Sequence, residues 1–162
     1  LNQRNLVGAT LTGVDLSVGM LQRAEGKACY DRLYRMELTA FLDLPEQADA
    51  WDIVLSADTL CYFGPLDGVF AAAGKALREG GWLAFSVEDG GDRAVPGGHL
   101  INPHGRYAHS ARYVRKCLEE AGFVPLEVES ACLRTEGGRP VAGLIVVARA
   151  TPGHGRQETF AA

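Results

Sequence analysis

No stretch of this chain approaches the roughly 20 consecutive apolar residues that a membrane-spanning helix needs, which excludes a helical span. Leu1–Thr10 is polar and has no apolar core, so no secretory signal is expected there. There is no initiator Met, which fits a processed or cut piece of a longer polypeptide. Positive charge is not in excess: 16 Lys and Arg stand against 20 Asp and Glu, for a formal charge of -4. Such a chain is poorly suited to gripping a phosphate backbone, and nucleic acid is not an expected partner. Cysteine is scarce, and Cys29, Cys61, Cys117 and Cys132 include no CxxC pair. Zinc and redox motifs are therefore not indicated, and the thiols read as reduced core residues of a cytoplasmic protein. What is abundant is glycine, with 20 residues, often paired as in Gly80-Gly81, Gly90-Gly91, Gly97-Gly98 and Gly137-Gly138. Pairs punctuate tight connections rather than forming one phosphate-cradling loop. At 162 residues and 47% hydrophobic, the chain is one ordinary globular domain, predicted over 1–150 with a frayed tail at 151–162.

Thr10–Asp15 is a short apolar run ending in an acid and reads as a buried strand, with Ser17 as the cap of a helix running to about Ala28. Leu33–Leu38 is a second strand, Thr39–Ala50 a short helix or loop broken by Pro45, and Trp51–Ser56 a third strand. Leu66, Val69, Phe70, Ala73 and Leu77 share one face of a helix over Leu66–Leu77, which Gly80-Gly81 is expected to stop. Trp82–Val87 is a strand, and Glu88–Tyr107 a long structureless loop of the kind that forms lids. Ser110 caps a helix with Val114, Cys117, Leu118 and Ala121 on one face and Gly122 as its stop. No helix fits between Phe123–Leu133 and Val141–Ala148, so these form an antiparallel hairpin. Strands alternating with helices imply an α/β fold with a mainly parallel sheet, to which the hairpin adds an antiparallel strand.

Asp15, ending an early strand, can accept two hydrogen bonds from a ribose diol at the carboxyl edge of a sheet, a geometry used for nicotinamide and for S-adenosylmethionine. The alternative is an Asp that helps Ser17 cap its helix. Leu11–Ser17 with Met20-Leu21 resembles the second motif of class I S-adenosylmethionine-dependent methyltransferases. Trp51–Val54 with Ala57–Leu60 resembles the fourth motif, and Ala76–Leu83 the fifth. Gly105–Ser110 and Gly138–Leu144 are similar to the methyltransferase domain found after tetratricopeptide repeats in bacterial proteins. The resemblance implies S-adenosylmethionine as cofactor, with Asp15 on the ribose, Leu16 and Met20 on the adenine, and Glu37 and the Leu38 N–H on the adenine edge. Ser56, Ala57 and Asp58 would face the methionine part and the reacting methyl. For the unknown methyl acceptor, Tyr62, Glu88, Arg106 and Tyr107 are the candidate contacts, Asp58 and His109 the candidate catalytic groups. Glu88 and Arg106 otherwise read as a salt bridge to each other. His99, His104 and His109 recur every five residues, which suits neither a helix face nor a strand face, so no metal site is expected.

The family opens with a strand and a GxGxG loop, and the chain has no such segment. Leu6–Ala9 instead looks like the tail of the helix that should follow it. The implied fold is thus a Rossmann-like class I methyltransferase sheet without its first strand and glycine loop. That strand would lie between Thr10–Asp15 and Ile53–Ser56, and its absence leaves two interior edges to be closed by direct pairing, an upstream segment, or a second copy in a homodimer. The implied function is methyl transfer to an unknown acceptor by the parent protein, while this chain, lacking the glycine loop, is expected to bind S-adenosylmethionine weakly or not at all. A catalytically silent domain that binds partner proteins is the alternative, and a nicotinamide-dependent oxidoreductase a third reading, weakened by the absent GxGxxG.

Overall fold

The computed structural model describes residues 8–91 and 97–152. Strand β1 (Thr12–Asp15) leads through helix α1 (Val18–Glu25) to β2 (Arg32–Arg35), then α2 (Leu38–Leu42), β3 (Trp51–Ser56), α3 (Asp67–Ala76) and β4 (Leu77–Asp89). Two short strands, β5 (His99–Ile101) and β6 (Tyr107–His109), precede α4 (Ala111–Glu120) and a long hairpin of β7 (Phe123–Glu136) and β8 (Arg139–Ala150). The caps follow side-chain chemistry: the Ser17 and Ser110 hydroxyls accept from Met20 N–H and Tyr113 N–H, starting α1 and α4. Gly137 and Gly138, at φ 55 and 75, supply the two left-handed residues of a tight hairpin turn.

β1 and β2 pair in parallel as a two-stranded sheet. The other six strands form one sheet in the order β5-β6-β4-β8-β7, with β3 parallel to β4. β6 pairs in parallel with the end of β4, while β4–β8, β7–β8 and β5–β6 are antiparallel. Among the described residues β1 and β3 do not pair with each other, so direct closure of the two edges does not occur.

Alternation along the strands sorts the sheet into two faces. Leu83, Phe85 and Val87 of β4 and Leu144, Val146 and Ala148 of β8 are buried against Val69, Phe70 and Ala73 of α3 and Val114 and Leu118 of α4. Burying one such side chain stabilises by roughly 1.5–3 kcal/mol, so this face holds the fold. On the opposite face Ile53, Leu55, Trp82 and Ile145 remain exposed.

Several expectations are corrected. β2 ends at Arg35 rather than Leu38, because Glu37 caps α2 with both carboxylate oxygens. Helix α1 ends at Glu25, short of Ala28, with Gly26 as its cap. Gly80-Gly81 does not stop α3, which ends at Ala76; while β3 advances from Trp51 to Ile53, β4 runs from Leu77 to Trp82, and the glycines lie in that bulge. The Glu88–Tyr107 segment is not structureless, since Glu88 and Asp89 continue β4, and His99–Ile101 pairs with Tyr107–His109. The sheet has more antiparallel pairing than expected for the same reason. Thr151 is tied to the Gly122 carbonyl through its N–H and hydroxyl. Residues 92–96 of the expected lid, 153–162 of the expected tail and Leu6-Val7 lie outside the described residues.

Candidate functional site

The parallel register sets Asp15 opposite Arg35, so Asp15 and Glu37 both follow the carboxyl ends of their strands. One Asp15 oxygen accepts from the Ser17 N–H at 2.7 Å, and among the described residues no donor meets the other. The two oxygens of Glu37 accept from Thr39 N–H at 2.9 Å and Ala40 N–H at 2.8 Å, so this carboxylate is a helix cap with one lone pair per oxygen to spare. Leu38 opens α2, where a backbone N–H has no intrahelical acceptor. Leu16 and Met20 are 63% and 50% exposed, an apolar surface beside a partly free carboxylate. That combination suits a nucleoside, whose diol needs acceptors and whose base needs a flat apolar contact. The residues present therefore fit the adenosine part of S-adenosylmethionine.

Ser56 ends β3 and is buried, and its hydroxyl has no partner among the described residues. Ala57 and Asp58 follow it, exposed. Asp58 holds φ 53, a left-handed value uncommon outside glycine, and its N–H donates to the Ser86 hydroxyl at 3.0 Å. Its carboxylate Oδ1 accepts from Arg134 at 2.8 Å, while no described donor reaches Oδ2. Arg134 also donates to Glu88 and, at 3.4 Å, to Glu136. Glu88 is buried and further accepts from Asn102 at 3.0 Å, with His104 3.6 Å away. Arg106 bonds Glu136 at 2.8 Å, its guanidinium 5.7 Å from the centre of the exposed Tyr62 ring. The expected Glu88–Arg106 bridge is thus replaced by two others, Glu88–Arg134 and Arg106–Glu136.

Electrostatics follows the contacts. Burial alone pulls the Arg134 pKa down, but the Glu88 hydrogen bond and the Asp58 charge outweigh it and hold the guanidinium firmly charged. Desolvation, the strongest single influence on Glu136, pushes it up, but the charges and hydrogen bonds of Arg106 and Arg134 together outweigh it and hold the carboxyl below the usual carboxylate range. Burial, aided by Asp58, pushes the Cys61 thiol up to about 11, so Cys61 is not a ready nucleophile.

His109 is placed in the core, not at an exposed edge. Its ring is fully buried, Nε2 donates to the Gly64 carbonyl at 2.9 Å, and Tyr113 stacks on it with centroids 6.0 Å apart. Burial holds its pKa below the usual histidine value, and no surface is open to a substrate, so its expected role as a base is not supported. Tyr107 is half-buried, packed against His99 and close over Gly64. Tyr62 is 60% exposed and so is not core. No group of His, Cys, Asp and Glu among the described residues could hold a metal ion. Sequence reasoning missed Arg134, Glu136, Asn102 and Ser86. The expected strand stops at Leu133, so nothing in the sequence sets Arg134 and Glu136 on one of its faces.

The chain matches the methyltransferase domain family over residues 1–85, and it belongs to that family. It is a methyltransferase domain of the kind that uses S-adenosylmethionine. It is 31% identical over 140 residues to the Erythromycin 3''-O-methyltransferase of Saccharopolyspora erythraea, covering 75% of this chain and 45% of that protein. The chain thus spans less than half the length of the curated relative it matches. Its fold is similar to that of an S-adenosylmethionine dependent methyltransferase from Mesorhizobium loti, with TM-score 0.64, 25% identity, and 86% of this chain and 80% of that one covered. A SAM-dependent methyltransferase from Methanosarcina mazei is similar with TM-score 0.68 and 14% identity, covering 90% of this chain and 84% of that one. Family membership overturns the nicotinamide-dependent reading.

Proposed function

We propose that this domain transfers a methyl group from S-adenosylmethionine to a hydroxyl of a small-molecule acceptor, within a protein of which the chain is all or part. The observation that carries the reading is Asp15 at the carboxyl end of β1, half free, beside exposed Leu16 and Met20. Asp15 would hold the ribose diol, Leu16 and Met20 the adenine face, and Glu37 and the Leu38 N–H its edge. When bound, the cofactor supplies an activated methyl on a sulfonium. Ser56 and Ala57 would bound the methyl site, and Asp58 Oδ2 would accept a hydrogen bond from the acceptor hydroxyl and orient it. Tyr62, Tyr107, Arg106 and Glu88 would line the acceptor side. The O-methyltransferase name of the curated relative supports a hydroxyl acceptor. The four free thiols support a reducing, cytoplasmic setting, and no helix among the described residues is long and apolar enough to cross a membrane. Isothermal titration with S-adenosylhomocysteine tests the reading: wild type should bind one-to-one and Asp15→Ala far more weakly, and equal binding by both would remove the assigned cofactor site.

A second reading, a silent domain that binds partners, draws on the apolar residues Ile53, Leu55, Trp82 and Ile145 and on the β1 and β3 edges. A homodimer completing the sheet at those edges is one form of it. Absence of cofactor binding together with a dimer in sedimentation equilibrium would favour this reading.

A further inference from the structure

The β7–β8 hairpin outruns its sheet. β4 pairs β8 only between Gly143 and Arg149, so Cys132–Glu136 and Arg139–Ala142 have strand partners only in each other. They project past the carboxyl edge of β3 and β4 as an arm of about 15 Å. A bulge interrupts the arm between Cys132 and Arg134, leaving Leu133 unpaired over Gly143. A Cβ on Gly143 would lie within 2.3 Å of two Leu133 carbons, so only glycine admits that crossing. The bulge re-aims the strand so that Arg134 and Glu136 reach Asp58, Glu88 and Arg106.

Glu88 shows what the arm does. By strand alternation it belongs with Trp82, Ala84 and Ser86 to the face that carries no helix, yet it is 3% exposed while Trp82 is 39% exposed. Arg134 from the arm, together with Asn102 and His104 from the β5–β6 turn, surrounds its carboxylate. The hydrogen bonds and ion pairs found between the arm and the rest of the described chain all run through Arg134 and Glu136. A cover held by ionic contacts can release and re-form, because its open state returns those charges to water.

We propose that the arm is a cover over the acceptor side of the carboxyl edge, and that Arg134 is the positioning residue that latches it and holds Asp58 in place. What the cover shields rests on the methyltransferase reading, whereas the latch itself does not. Two spin labels measure it directly: Thr135→Cys on the arm and Asp67→Cys at the start of α3, in a full chain with Cys29→Ser and Cys132→Ser. Double electron–electron resonance should give one narrow distance distribution at low salt that broadens toward longer distances in high salt and in Arg134→Gln. Arg134→Lys should restore it in part, because an ammonium is a point charge and cannot fork between two carboxylates. If Arg134→Gln fails to fold, Arg134→Gln with Glu88→Gln removes the orphaned buried charge and answers the same question. A distribution unchanged by salt and by these variants, or one already broad in the wild type at low salt, overturns the proposal. Titration with S-adenosylhomocysteine on the same samples keeps the readings apart. Lost binding in wild type defeats the cofactor assignment and leaves the latch to the distances, and unchanged distances defeat the latch whether or not the ligand binds.

Discussion

Asp15 and Glu37 are held by backbone N–H groups two or three residues away, whereas Asp58 and Glu88 are held by an arginine 76 and 46 residues away. The adenosine side is therefore assembled by its own turns, and each carboxylate there is set as soon as its strand and helix form. The opposite side exists only when the hairpin has folded back over the sheet. A local site tolerates loss of one residue with little effect elsewhere, while a long-range one couples residues that share a single partner.

The sharpest way to break this contrast is Arg134→Ala. It strands the buried Glu88 carboxylate, and urea denaturation should show a loss of about 3–5 kcal/mol, most of which Glu88→Gln in the same chain recovers. Full additivity of the two changes would show that the pair is not coupled. On the other side, Asp15→Ala should weaken S-adenosylhomocysteine binding by roughly 10- to 100-fold in calorimetry, as expected for losing a charged hydrogen-bond acceptor. Its effect on unfolding should remain well below that of Arg134→Ala. Glu37→Ala should lower stability by about 1 kcal/mol through loss of the α2 cap, measurable as a shift of the denaturation midpoint at constant slope. A graded effect is expected from pH. His109, facing His99, Tyr113 and Glu88, has a folded pKa below the ordinary 6.5. Above pH 6.5 both folded and unfolded forms are neutral and the contribution is complete. As pH falls below that, the unfolded chain takes up the proton first, so stability should decline. His109→Gln should flatten that part of the profile. The smallest effect is expected at the exposed Arg78–Asp52 pair, 2.7 Å apart, where Asp52→Asn should change stability by at most about 1 kcal/mol.

The legible parts of the molecule were those with local chemistry. Ser17 and Ser110 announced two helix starts, the Trp51–Ser56 run announced β3 to the residue, and the face Val114, Cys117 and Leu118 announced α4. The end of β2 was misplaced at Leu38 because an acid ending a strand and an acid capping a helix look alike until both Glu37 oxygens are seen on Thr39 and Ala40. Gly80-Gly81 misled because glycines serve helix ends and strand bulges equally, and only pairing with β3 chooses between them. His109 read as a reactive side chain because nothing in its neighbours' identity shows that a short strand carries it inward. Arg134 was invisible for a stronger reason. Its partners depend on a one-residue irregularity between two strands, which no periodicity within β7 encodes.

That irregularity makes chain length, not residue type, the sensitive variable in the arm. In a strand the facing of every side chain is fixed by counting, and Arg134 and Glu136 stay in step with Val141 and Arg139 only because Leu133 takes no partner across the hairpin. One residue inserted between Val141 and Ala142 would give Leu133 a partner, leaving each existing amino acid unchanged and the hairpin free to pair without a break. It would also turn the arginine and its neighbouring glutamate to the other side of the ribbon, away from Asp58 and Glu88. A single-codon insertion there would undo the acceptor side of the edge more completely than most substitutions within it.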